Sequence, residues 1–453
     1  MFRKIEIWIL YLTLVFVFLF FIIFGAMIRR EALGGSYKPI ISEVSKIALF
    51  LAEIPRNILI MNSAETKTPL LAKEKRFDNL SGFNGIRDET KKYLLLPRFD
   101  GDLNESVIEL VDLRNFQILH KWNINLDSLW GYLKKDNGGK WENIFRDNND
   151  KRFQYNHPLM LDDGSVLVAN NSPLIKINKN NQVDWVKDDE LYHHSIEQDN
   201  EGNIWVCVRF FPYKIDDKFV GKKIDNYYDD GIRKISPDGD ILFDKSISNI
   251  FIDNGMEYLL FAVGDRGFTF DPIHLNDIQP VEKDSKYWKK GDVFLSLRHQ
   301  SMIILYRPST NKIIWKSAGE FYHQHDVDIL DEKRISIFDN NSKDYYNGDV
   351  VDGFNRVMIY DFEKQSYSFY LNESLKEQDV RTITNGRNQI LPNGDLMVEE
   401  TIYGRILYFS ADGSLKWSYI NRAQDNDVYL ISWARILYKN DDINKVRHFL
   451  NQN

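Results

Sequence analysis

The chain is 453 residues long, with 27% charged and 14% aromatic side chains, a composition of folded protein with room for one large domain or roughly two to three ordinary ones. Its formal net charge of −8, without a basic stripe interleaved with aromatics, argues against a nucleic-acid partner, because duplex binding rests on clustered Lys and Arg. The single cysteine, Cys207, excludes an internal disulfide and any multi-cysteine metal site.

Residues 7–28, IWILYLTLVFVFLFFIIFGAMI, form an apolar run without a charge. As a helix this run would be roughly 33 Å long, enough to cross a hydrocarbon core of roughly 30 Å. A signal peptide's apolar region is usually shorter and ends in small residues. Here the run ends in GAMIRR with no convincing cleavage site, so residues 1–30 read as an uncleaved transmembrane anchor. Arg3 and Lys4 on one side and Arg29 and Arg30 on the other leave its orientation undecided by charge. Ile40, Val44, Ile47, Leu51 and Ile54 then recur at helical spacing. They predict a short amphipathic helix within a linker of residues 31–60, ending at IPRN and lying on the membrane surface or against the folded domain.

From about Tyr93 the text becomes short strands between Gly, Asn and Asp turns. One element recurs six times: ESVIELVDLRNFQILHKW, SPLIKINKNNQVDW, DGIRKISPDGDILF, SMIILYRPSTNKIIW, RVMIYDFEKQSYSF and GRILYFSADGSLKW. Each later copy follows a further strand pair, such as HPLMLDDGSVLVAN, HSIEQDNEGNIWVCV, HDVDILDEKRISIFDN or NQILPNGDLMVEET. Four strands per repeat, with variable loops, predict an all-β six-bladed propeller over residues 61–453. The first copy has only KYLLLPRF before it, and DVYLISWARILYKN near the C-terminus supplies a spare strand. That strand is expected to complete the first blade and close the ring. Stacked β-sandwiches would explain the strands but not the one left over.

The first strand of a propeller blade lines the central channel. In this chain those strands begin with His157, His194, His274, His325 and Asn388, with Arg435 in the closing strand. One such His would ordinarily be a satisfied core residue; four converging on one axis point to a site. His193 and His194 face opposite ways, and the strand phase points His194 inward, although the two are exchangeable at this level. Asn276 shares a face with His274, and Arg298, followed by His299, comes just after the next strand. In FYHQHDVDIL, residues 321–330, a strand puts His323 and His325 on one face and sends Asp326 and Asp328 away from the channel. Neutral donors and a guanidinium without a nearby carboxylate suit an anion such as a sulfate or phosphate ester. The parity of the two aspartates disfavours an HxHD zinc site, although three histidines from different blades would still suit a metal. No metal and no cofactor is assigned.

At these residues the chain resembles the arylsulfate sulfotransferase family of exported bacterial six-bladed propellers. The matching segments are HHSIEQDNEGNIWV, HLNDIQPV, GDVFLSLRHQS, KIIWKSAG and HQHDVDILDEKRISIFDNN, within residues 157–420. The resemblance implies transfer of a sulfuryl group from a phenolic sulfate ester to another phenol, without a nucleotide donor. It places the family's histidine nucleophile on His325 and its sulfate-binding residues on His194, His274, Asn276 and Arg298. The implied reaction has two steps: neutral His325 attacks sulfur, phenolate departs, and the sulfohistidine passes its group to the acceptor. Imidazole suits this, being substantially neutral at pH 7. His274 or His194 would carry the phenolic proton. His323 is read as a neighbour that orients His325 or substrate, and His193 as a residue supporting the site.

Well-known family members are soluble and periplasmic, with a β-sandwich before the propeller and a disulfide near the site; this chain has an apolar N-terminal run and one cysteine. The expectation is therefore a membrane-anchored enzyme with its catalytic domain in the periplasm or another extracytoplasmic space. Homodimers are common in the family, so a homodimer is the assembly it suggests. The family's late-blade sulfate ligand has candidates in RTITNGRN, namely Arg381, Thr382, Thr384 and Arg387, with none singled out. Insertions at residues 134–150 and 211–230, with Tyr227, Tyr228 and Tyr322, are expected to shape the mouth. The alternative is an extracytoplasmic propeller that binds a glycan, peptide or assembly partner without chemistry.

Overall fold

The computed structural model of the protein describes residues 6–32, 39–65, 71–72, 76–77, 79–125, 129, 153–169, 173–220, 227–261, 270–345 and 348–451. The chain divides into two compact units, residues 1–69 and 70–453.

The first unit is helical. Its first helix, Ile7–Ala32, carries large apolar side chains outward, Phe16 at 70% exposure and Phe18 at 66% among them. Within it Ile7–Arg30 is long and apolar enough to cross a membrane. The second helix runs Pro39–Glu65, with Pro55 inside it. It does not end at IPRN as the sequence suggested. Proline biases the preceding residue away from helix without forbidding it, and the residues beyond it, RNILIM, include good helix formers.

The second unit is a six-bladed β-propeller of antiparallel sheets. From the axis outward, blade 2 is Asn156–Met160, Val166–Ala169, Leu174–Ile177 and Val183–Lys187. Blade 3 is Leu191–Gln198, Ile204–Phe210, Asp229–Ile235 and Ile241–Ser246. Blade 4 is Leu275–Pro280, Val293–Leu297, Met302–Arg307 and Lys312–Ala318. Blade 5 is Val327–Ile329, Arg334–Asp339, Arg356–Asp361 and Ser366–Phe369, with a hairpin, Ser342–Tyr345 and Gly348–Val351, between its second and third strands. Blade 6 is Arg387–Ile390, Leu396–Glu400, Arg405–Phe409 and Leu415–Ile420.

Ring closure works at both ends. Arg435–Leu437 forms the inner strand of blade 1, pairing Arg435 with Leu95 and Leu437 with Tyr93, as the spare strand predicts. Gly82–Gly85 also adds a fifth, outermost strand to blade 6, pairing Phe83 with Tyr419. That second clasp has no counterpart among the strands read from the sequence. Between blades, middle-strand residues such as Val206, Leu295, Ile337 and Val398 are buried, each contributing about 1.5–3 kcal/mol of apolar burial. A C-terminal helix, Asn440–Asn451, caps blades 1 and 2 by inserting Val446 and Phe449, with Phe449 stacked 5.4 Å from Trp122. Gly164, with a φ of +78°, is needed there, since a Cβ would stand 2.5 Å from the Phe449 ring.

One backbone device repeats around the axis. At the head of every inner strand a non-glycine residue has positive φ: His157 (44°), His194 (55°), His274 (53°), His323 (52°), Asn385 (57°) and Trp433 (65°). Register shifts accompany it between Asn156 and Leu159, His193 and Ile196, and Leu275 and Asp277. Such conformations cost about 1–3 kcal/mol each and persist where function or packing demands them. Here they break the simple alternation of strand faces. His323, not His325, is thus the blade 5 counterpart of His194 and His274. His325 occupies the position of Asn276, Arg387 and Arg435, two residues later. The strand expected over residues 321–330 begins only at Val327.

Candidate active site

The heads of the inner strands and the loops between second and third strands share one end of the ring, where the histidines gather. His325 is fully buried, with Nδ1 2.7 Å from Asn340 Oδ1 and 3.1 Å from the His323 carbonyl. The Asn340 amide is oriented by its Nδ2, which donates to the carbonyls of Thr382 (3.0 Å) and Asn385 (2.7 Å). Both neighbours of His325 Nδ1 are therefore acceptors, so Nδ1 carries the proton and Nε2 the lone pair. That lone pair meets the backbone N–H of Asn385 at 2.9 Å and the Thr384 hydroxyl at 3.3 Å. Burial, and then the charge of Arg298, push His325 well below the usual histidine range. The ring is neutral at pH 7, with its lone pair on Nε2, where the Asn385 N–H meets it.

His194 stands with its ring 5.5 Å from His274 and 6.3 Å from His325. His193 lies behind it, Nδ1 to Nδ1 at 2.7 Å, with its own Nε2 3.6 Å from buried Asp230. Asp230 also accepts from Arg209 Nε (3.0 Å) and from the backbone N–H of Leu275 (2.8 Å), tying blade 3 to blade 4. Burial works against charge on Asp230, yet Arg209 and His193 hold its carboxyl well below the usual range. His194 itself is pushed well down by burial and then by its neighbouring histidines.

His274 Nδ1 is 2.6 Å from Asp271 Oδ2. Arg298 Nη1 lies 2.7 Å from His299 Nε2, and its Nη2 lies 3.3 Å from Asp349 on the blade 5 hairpin. Its Nε is buried with no partner among the described residues. Asn276, fully buried, donates from Nδ2 to the Gln324 carbonyl at 3.1 Å and so pins the turn that carries His325; its Oδ1 has no partner among the described residues. His323 serves His325 through its carbonyl, while its ring sits 6.3 Å from that of His299, with Nδ1 buried and unpartnered among the described residues. The donor atoms of Asp271, His274 and His299 lie within 4.8 Å of one another, a spacing compatible with a metal ion. The guanidinium held on the far nitrogen of His299 opposes a second cation there.

The structure thus gathers His194, His274, His325, Asn276, Arg298 and His323 at one end of the axis, with His193 behind His194. His157 is not among them. It is buried beside Arg387 and Arg435, each 2.7 Å from its Nε2, and 3.4 Å from Glu197. Of the four late-blade candidates only Thr384 faces His325; Arg381 is exposed, Thr382 bonds the Thr384 carbonyl, and Arg387 packs on His157. Trp433 was missed altogether: its indole lies 6.1 Å from His194 and 6.4 Å from His325, beneath the cluster. Its signal lay in the closing strand, where the positive φ brings it, rather than Arg435, to the histidines.

Three further expectations change. Asn388 does not project onto the channel but bonds Asp326, which accepts its backbone N–H at 2.9 Å and its Nδ2 at 3.1 Å. Asp328 does not point away from the channel. It lines a cavity of 430 Å³ at the opposite end of the axis, with Glu197, Gln389, Arg387 and Arg435. Burial pushes its carboxyl up to about 8. Tyr227 is buried, its hydroxyl 3.0 Å from Ser248, whereas Tyr228 (39% exposed) and Tyr322 (37%) remain open. The insertion at residues 134–150 lies outside the described residues.

A family model described as "Arylsulfotransferase (ASST)" matches residues 157–422, more than half of the chain. No curated protein matches it. Among solved structures, a protein of unknown function from Bacteroides caccae is 11% identical with a TM-score of 0.45, covering 76% of this chain and 98% of its own. A streptogramin B lyase is 11% identical (TM-score 0.37; 76% and 97% covered). The WD40 propeller domain of Doa1 is 10% identical (TM-score 0.39; 80% and 99% covered).

Proposed function

The chain belongs to the arylsulfotransferase family, and from that premise we propose that it moves a sulfuryl group from a phenolic sulfate ester to a phenolic acceptor through a sulfohistidine at His325. Family membership supports an arylsulfate sulfotransferase-like enzyme with aryl sulfate and phenol as substrates. The observation that carries the finer reading is the fixed tautomer of His325, whose Nδ1–H is held by Asn340 and whose Nε2 lone pair faces Thr384 and Asn385.

In the proposed reaction Nε2 attacks sulfur while the S–O bond to the phenol breaks. Arg298, His194 and the Thr384 hydroxyl, with the Asn385 N–H, hold the sulfuryl oxygens as charge moves to the leaving group. His274 carries the phenolic proton. Asn276 and His323 hold the His325 turn in place, and His193 fixes the His194 ring. The apolar first helix supports a membrane anchor; the extracytoplasmic placement of the propeller and its pairing as a homodimer are carried over from the family.

Brief exposure of the protein to 4-nitrophenyl sulfate, followed by intact-mass measurement, tests this. The expected result is a gain of about 80 Da, one SO₃ group on a covalent intermediate, in wild type and not in His325→Ala. Neither adduct nor phenolate release with several aryl sulfates would instead favour a propeller that binds its ligand without chemistry.

A further inference from the structure

Asp271 reaches two functional side chains at once. Its Oδ2 lies 2.6 Å from His274 Nδ1, and its backbone carbonyl lies 2.7 Å from His299 Nδ1. A carboxylate and a carbonyl only accept, so both histidines donate from Nδ1 and keep their lone pairs on Nε2. The Nε2 of His299 is then the acceptor for Arg298 Nη1 at 2.7 Å. The two rings lie close together, with centroids 4.4 Å apart and planes tilted by 37°. The other carboxylate oxygen, Oδ1, is buried with no partner among the described residues.

We propose that Asp271 is a positioning residue of the transfer reaction. Its side chain fixes His274 in the tautomer that exchanges a proton at Nε2 and stabilises the imidazolium. Its backbone, through His299, aims Arg298. The inference rests on the reading of His325 as nucleophile and His274 as proton carrier. The proton balance closes over one turnover. As the acceptor oxygen attacks sulfur and the S–N bond to His325 breaks, neutral His274 takes the phenolic proton on Nε2. The imidazolium so formed, paired with Asp271, returns that proton to the next leaving phenolate as its S–O bond breaks. The arrangement has the logic of an acid–base histidine oriented by a carboxylate.

The test is the leaving-group dependence of donor turnover. A 4-nitrophenolate leaves without a proton, whereas unsubstituted phenolate needs one, so loss of the Asp271 carboxylate should fall selectively on poor leaving groups. For the full-length chain in detergent, Asp271→Asn is expected to lower kcat/KM for phenyl sulfate at least tenfold more than for 4-nitrophenyl sulfate. Asp271→Glu should recover part of the difference. In a His274→Gln background Asp271→Asn should add nothing to the discrimination. A damaged fold would lower both donors equally, and equal losses in Asp271→Asn and Asp271→Glu would overturn the assignment. Loss of transfer on treating wild type with a chelator would put a metal ion on Asp271, His274 and His299 and overturn it as well. If wild type forms no sulfohistidine, the reading of function fails first; if it does and the donor ratio stays flat, only the role of Asp271 fails.

Discussion

Asn340 Oδ1 stands 2.7 Å from His325 Nδ1 and, because its amide nitrogen is committed to two carbonyls, it can only accept. One amide thus decides which nitrogen of a buried imidazole is free. Asn340 belongs to the turn after the second strand of blade 5, and Asn385, whose N–H meets the other nitrogen, to the head of blade 6. His325 is held across a blade boundary.

Replacing Asn340 by Ala should release the His325 ring and strip the Asn385 carbonyl of its donor, while the Thr382 carbonyl keeps Asn355 Nδ2 at 3.0 Å. Single-turnover sulfohistidine formation is expected to slow by about 10- to 100-fold, the scale of a lost orienting partner. Stability should fall by about 1–3 kcal/mol from the one unmet carbonyl. Asn340→Asp keeps an acceptor at Nδ1 and should keep more of the rate than Asn340→Ala. Equal rates in the two variants would remove the tautomer from the mechanism.

The acid limb of sulfohistidine formation should lie below pH 6.5, the ordinary histidine value. Burial, Arg298 and then His274 lower the proton affinity of His325. The neutral, attacking form therefore persists as pH falls through 6.5 and disappears only at a lower value. Removing the guanidinium, in Arg298→Ala, should move the limb upward. Pre-steady-state rates between pH 4.5 and 8 would show either shift directly.

Arg298→Lys should not substitute for arginine. An ammonium is a point donor and cannot meet His299, Asp349 and a sulfuryl oxygen in the geometry of the guanidinium fork. A loss in kcat on the order of 10²–10³ is expected, comparable to removing one donor to a developing oxyanion. Asp349→Asn should act oppositely. It removes a carboxylate that competes with the sulfate ester for Arg298, so the donor KM should fall several-fold. Steady-state kinetics with saturating acceptor separates the two effects. A raised donor KM in Asp349→Asn would mean that the carboxylate aims the guanidinium rather than competing for it.

The propeller was legible because its signal is redundant. The strand–turn–strand phrase recurs six times, and DVYLISWARILYKN was left without a partner unless the ring closes. Gly82–Gly85 was not legible, since GFNG lacks alternation and has one strong β-former, Phe83, whose packing on Phe116, Trp417 and Tyr419 at the blade 6 edge only the fold reveals. Within the site, residue identity was easier to read than placement. Simple alternation puts His323 and His325 on one face, but a positive φ at His323 swings its ring toward His299 and leaves His325 facing Asn340. The same device hid Trp433 behind Arg435. Thr384 sits in a loop, where no period marks which side chain faces inward, and Asp271 precedes the histidine it serves by three residues in a segment without a repeat.

The clasp between Arg435–Leu437 and Tyr93–Asp100 also sets an order of events. Trp433 underlies the histidines from the turn just before that strand, so the catalytic cluster has no complete floor until the tail of the chain has threaded back to the first blade. Such non-local pairing is slow compared with the local hairpins. During synthesis the blades can stack one by one, but chemistry has to wait for the tail. A nascent chain would carry every histidine named here without the floor that Trp433 gives them, and with the inner edge of blade 1 open for chaperones to guard.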